Sequence, residues 1–206
     1  MAVQQHPEHR SGFHLPSLRR HRTTTAGEAV QAHSASVSAY VLASLRLVTG
    51  FVFLWAFLDK TFGFGYATPS GKGWIDGGSP TKGFLSHVSA GPMQSTFHSW
   101  AGDTWTDWLF MLALLGIGLA VSTGVALRIA AAAATALMAF MWIAEWPPAK
   151  HLADGTASMS TNPFADYHLV YAIVLIALAA FAAGDALGLG RAWSRLPIVR
   201  DHTWLR

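Results

Sequence analysis

The stretch AYVLASLRLVTGFVFLWAFL, residues 39–58, decides the fold. It is twenty residues long and holds a single charge, Arg46. At about 1.5 Å per residue, a helix of that length covers the roughly 30 Å hydrocarbon core of a bilayer. In lipid such a segment must be helical, because no water is present to satisfy its peptide groups. Three further apolar stretches follow, at residues 105–127, 129–146 and 164–187, the last led by Asn162-Pro163 as a helix cap and first-turn proline. The expected architecture is an all-α membrane protein, a bundle of four transmembrane helices.

Composition agrees. Only 12% of the residues are charged and 52% are hydrophobic, about half the charged fraction of a soluble domain. The absence of cysteine excludes disulfide scaffolds, thiolate nucleophiles and iron–sulfur ligation. Redox chemistry, if the protein takes part in it, therefore depends on a bound cofactor or a mobile carrier. No dinucleotide fingerprint, phosphate loop, zinc-ligand spacing or nucleophile elbow is present. Nor are paired histidines found at matched depth for haem.

Residues 1–37 are polar, hold five of the ten histidines and lack periodicity, so they read as a disordered tail. Residues 38–190 form the membrane domain, and 191–206 a C-terminal tail. The tails and the Arg128 turn hold nine arginines. The other two loops, with the helix ends beside them, hold all four lysines and seven carboxylates. By the positive-inside rule the arginine-rich side is cytoplasmic, which places both termini inside. The basic pI of about 9.5 thus anchors topology and anionic lipid, and requires no nucleic acid. Ser79-Pro80 and Gly91-Pro92 each read as the start of a short interfacial helix in the long outer loop, residues 61–104.

Among polar residues within the spans, Arg46 stands out. Thirteen residues separate it from Asp59, about 20 Å at the helical rise. Two readings are open: it snorkels to the inner headgroups near Tyr40, or it faces the other helices as a functional charge. At the outer helix ends several ionisable groups converge: Asp59 and Lys60, Glu145, and Asp166 with His168. Trp142 shares a face with Glu145, and Tyr171 with His168. Such a cluster over an apolar bundle suits a quinone, whose carbonyls need proton donors. The catalytic candidates are Glu145, Asp166 and His168. Arg46, Trp55, Asp59, Lys60, Trp142 and Tyr171 are the candidates for holding menaquinone or ubiquinone. The other reading of the cluster is a set of caps and ion pairs that close the bundle.

The segment RLVTGFVFLWAFLDK, residues 46–60, resembles the first-helix signature of the DoxX/DoxD family of bacterial four-helix membrane proteins. GWIDGGSPTKGFL (73–85), Asn162-Pro163 followed by Asp166 and His168, and GDALGLG (184–190) support the likeness. It covers about residues 40–200 and is nearest to the branch labelled as the large subunit of thiosulfate:quinone oxidoreductase. The resemblance implies a multi-pass protein of the bacterial plasma membrane, with a partner membrane or extracytoplasmic subunit. It further implies thiosulfate oxidation on the outer side, with electrons passed to quinone. Other members are linked to oxidative-stress and thiol-homeostasis complexes, which makes a non-catalytic accessory or scaffold subunit the alternative. The outer charge count bears on the choice: seven carboxylates against four lysines oppose direct attraction of a dianion.

Overall fold

A computed structural model describes the backbone of residues 24–206 and the side chains from Ser36 onward. The chain divides into two compact units, residues 1–37 and 38–206, and the second carries the bundle. The described residues contain no strand, only an isolated bridge between His151 and Ala157. Residues 1–23 of the expected disordered tail lie outside the described residues. The remainder of that tail differs from the reading, because α1 runs from Thr24 to Phe62. Ala26, Ala29, Ala32 and Ala35 favour helix, and extending an existing helix needs no new nucleus.

Among the described residues, three helical segments are long and apolar enough to cross a membrane: Ser36–Phe62 within α1, α4 (Thr104–Thr123) and α5 (Leu127–Glu145). The fourth, α6 (Tyr167–Ala180), has only 14 residues, about 21 Å at the helical rise. This corrects the expectation of a helix over 164–187. Asn162, expected to cap it, instead accepts from Phe164 N–H and Ala165 N–H one turn earlier. The cap is Asp166, which accepts from His168 N–H and Leu169 N–H. At the other end the helix stops ten residues before Gly190, and residues 181–189 fold into turns.

The bundle closes as a ring. Gly50 of α1 lies so close to Ser122 of α4 that an added Cβ would sit 2.7 Å from its backbone nitrogen. At Gly118 of α4 a Cβ would lie 2.9 Å from the Leu54 nitrogen of α1. Glycine is needed at both points for the backbones to touch. A turn at 124–126 joins α4 to α5, which in turn packs along α6. Tyr171 of α6 meets Phe53 of α1, with ring centroids 6.2 Å apart. The core comprises Phe53, Met111, Leu114, Ile117, Ala134, Met138, Leu175 and their neighbours. The perimeter is apolar as well: Val48, Phe51, Leu109, Leu112, Phe140, Ile173 and Ile176 are exposed. An apolar shell of this kind suits lipid rather than water.

The loop of residues 61–104 forms two short helices, α2 (Lys82–Ser86) and α3 (Gln94–Trp100). Val88 and Phe97 pack on Ala144 at the end of α5, with Leu85, Trp100 and Ile143 around them. Asp107 holds the loop down, accepting from Ser79 Oγ, Thr81 N–H and Thr81 Oγ1 at 2.9, 3.0 and 2.6 Å. The C-terminal residues are also ordered, in α7 (Gly190–Ser194) and α8 (Pro197–Asp201). They are tied to the start of α5, where Arg128 N–H donates to the Arg206 carbonyl and the Arg128 side chain to Thr203 O.

Candidate functional site between the ends of α5 and α6

The loop between α5 and α6 returns the chain to the same end of the bundle, so the last residue of α5 faces the first turn of α6. That is Glu145 against Asp166, Tyr167 and His168. The donor atoms of Glu145, Asp166 and His168 all lie within 4.8 Å of one another. His168 is 1% exposed. Its Nδ1 is 2.7 Å from Asp166 Oδ2, the same carboxylate that caps α6. The cap therefore performs two tasks: it ends the helix and orients the imidazole. The other ring nitrogen, Nε2, is buried without a hydrogen-bond partner and lies 4.0 Å from Glu145 Oε1. The Tyr167 hydroxyl donates to Glu145 Oε1 at 2.5 Å.

A cavity of about 660 Å³ opens beside the cluster, with Glu145, Asp166 and Tyr167 in its wall. Phe84, Val88, Pro147, Leu152 and Met159 supply apolar lining, and no lysine or arginine lines it. The volume falls within the range of small-molecule sites, and about half of the lining residues are polar, among them His87, Ser158, Ser160 and Asn162.

The other expected site residues do not join the cluster. Both Asp59 oxygens accept loop N–H groups, from Tyr66 at 3.3 Å and Thr68 at 2.8 Å. Lys60 sits over the Phe110 ring, 5.7 Å from its centroid, a cation–π contact. Trp55 stacks among Phe51, Phe64 and Tyr66. Trp142 is adjacent to the cluster, but its Nε1 donates to Phe164 O. Tyr171 packs on Phe53, and Tyr167, which the i,i+3 spacing from His168 overlooked, takes the place expected for it.

Arg46 lies toward the other end of α1 and is fully buried, so it does not snorkel. Its Nε donates to Ala183 O, Nη1 to Val121 O and Ser122 O, and Nη2 to Leu187 O. These carbonyls belong to the last turn of α4 and to the segment just beyond α6, where helix dipoles are negative. The GDALGLG stretch is thus the arginine's cradle. Gly184 lies so close to Gly124 that a Cβ would meet the Gly124 carbonyl oxygen at 2.1 Å. Comparison of the chain with protein-family models, curated proteins and solved structures finds no match.

Proposed function

We propose that this chain is a membrane subunit of a quinone-linked oxidoreductase, of DoxX/DoxD type, whose outer cavity receives the quinone headgroup. The observation that carries the reading is the Tyr167–Glu145 hydrogen bond at the wall of a cavity that, among the described residues, no lysine or arginine lines. A quinone carbonyl is a neutral acceptor that needs a proton donor as it is reduced. A tyrosine hydroxyl and a carboxyl group sharing a proton at 2.5 Å provide one, and the buried His168, held by the partly exposed Asp166, lies beside them.

The same lining argues against thiosulfate in this cavity, since two carboxylates would repel a dianion. The sulfur half of the reaction therefore belongs to a partner on the outer side. There two thiosulfates lose one electron each and join through a new S–S bond as tetrathionate. The quinone takes up both electrons and two protons to become the quinol. In this reading the chain crosses the bacterial plasma membrane four times with both termini cytoplasmic. The turns of residues 181–189 complete the short fourth crossing, a non-helical segment allowed at depth because Arg46 satisfies its carbonyls.

The test is purification with co-purifying proteins in mild detergent, extraction of bound quinone, and thiosulfate-dependent reduction of a soluble quinone analogue. The proposal expects bound quinone, and activity that falls about 10²-fold in Glu145→Gln and Tyr167→Phe. Absence of both quinone and activity would sink it. The second reading is a non-catalytic accessory subunit, favoured by the exposed outer side chains Tyr66, Ile75 and Met159, which would suit a docking partner. Quinone reduction by the isolated chain counts against that alternative.

A further inference from the structure

One feature of the outer cluster is not used by proton exchange alone. Asp166 accepts the proton on His168 Nδ1, which leaves the Nε2 lone pair directed at the Glu145 carboxylate. Two electron-rich atoms thus face each other, the nitrogen buried and the carboxylate one-third exposed. At 4.0 Å they are too far apart to share a proton in a normal hydrogen bond. Nε2 has no other partner.

We infer that His168 Nε2 and Glu145 bind a divalent transition-metal cation. Zinc–nitrogen and zinc–oxygen bonds are both about 2.1 Å, so an ion between ligand atoms 4.0 Å apart bonds both at an angle of about 145°. A tetrahedral angle brings such atoms to roughly 3.4 Å, a small rotation for a glutamate that is one-third exposed. Each ligand already has its supporting partner. Asp166 holds the imidazole by Nδ1, and Tyr167 holds the carboxylate by Oε1, as is usual for metal-bound histidines and carboxylates. One imidazole and one carboxylate without sulfur suit Zn²⁺, Mn²⁺, Fe²⁺ or Co²⁺ rather than Cu⁺. The remaining positions open toward the cavity, where water or a ligand oxygen completes the shell.

The site goes beyond the quinone reading and is measured apart from it. The full-length protein, purified in detergent and stripped with a chelator, is titrated with Zn²⁺ by calorimetry and with Co²⁺ by visible absorption. The expected result is one ion per chain. Affinity falls at least tenfold in Glu145→Gln and His168→Gln, and about 10- to 100-fold in Asp166→Asn. Glu145 is partly exposed, so E145Q keeps the fold and carries the test if H168Q does not. Five histidines precede Ser36. Uptake that survives in E145Q but disappears when those five are replaced by alanine overturns the proposal. Absence of uptake by the wild-type protein overturns it too. Quinone reduction by the chelator-stripped protein bears on the function and leaves the titration unaffected.

Discussion

Removing the Arg46 guanidinium tests the fold at its most demanding point. In Arg46→Met the side-chain volume is largely kept, but the carbonyls of Val121, Ser122, Ala183 and Leu187 lose their donor. A hydrogen bond to a charged group contributes about 1.5–3 kcal/mol, so four of them set an upper bound near 6–12 kcal/mol. Against this stands the cost of keeping a guanidinium out of water, several kcal/mol, which the methionine no longer bears. The net loss expected is about 3–5 kcal/mol, the range for breaking one side of a buried charged network. That is roughly a 10²- to 10⁴-fold rise in the unfolding constant. Arg46→Lys keeps the charge but replaces a planar fork with a point donor, so it recovers only part of the loss. The assay is unfolding by SDS in mixed micelles, followed by tryptophan fluorescence. Hydrogen exchange at residues 181–189 should accelerate in parallel. Stability of R46M within about 1 kcal/mol of wild type would refute the capping argument.

Three other outcomes follow from the same contacts. Gly118→Ala drives a methyl group against the Leu54 backbone and should cost about 1–3 kcal/mol in the SDS assay. Gly116→Ala, with nothing within 4 Å, should be neutral or slightly stabilising. Asp107→Ala removes the acceptor for Ser79 and Thr81. It should lower stability by about 2–3 kcal/mol and speed limited proteolysis near residues 77–83. Tyr167→Phe should leave SDS stability within about 1 kcal/mol of wild type, which separates a chemical role for the hydroxyl from a structural one.

The crossings were legible because lipid imposes a one-dimensional rule: about twenty apolar residues make a crossing. That rule depends on composition and is blind to where the backbone hydrogen bonds go. Phe181, Ala182, Ala183 and Leu187 are as apolar as the helix before them, so hydropathy carried the fourth helix through to residue 187. The backbone turns there instead, because a donor from another helix meets its carbonyls. The signal was present in the sequence as Arg46 and the glycines at 184, 188 and 190, but separated by about 140 residues. The cluster of Glu145, Asp166 and His168 was legible because helix ends on one side of a hairpin must meet. Depth could not separate these residues from Asp59 and Lys60, which are equally near the outer end. Loop partners did that: Asp59 is consumed by the Tyr66 and Thr68 amides. Tyr167 was missed because the helix was expected to begin at Asn162-Pro163. With Asp166 as the cap, Tyr167 falls in the first turn, beside Glu145.

Arg46 and His168 are both buried polar side chains in an apolar bundle, and the default reading treats both as functional. Their hydrogen bonds separate them. Every nitrogen of the Arg46 guanidinium has a carbonyl partner, and those carbonyls sit at helix ends whose dipoles offset its charge. Nothing in that arrangement is left to bind a ligand, so the cost of burying it is offset by the fold alone. His168 has one nitrogen bound to Asp166 and one bound to nothing, facing a carboxylate at a distance no hydrogen bond spans. A buried polar atom without a partner costs about 1–3 kcal/mol. At His168 that cost falls behind the wall of the cavity formed with Glu145, Asp166 and Tyr167. The unmet valence of His168 Nε2, set against Glu145 beside that cavity, is therefore what points to this end of the bundle as the place where a ligand completes the structure.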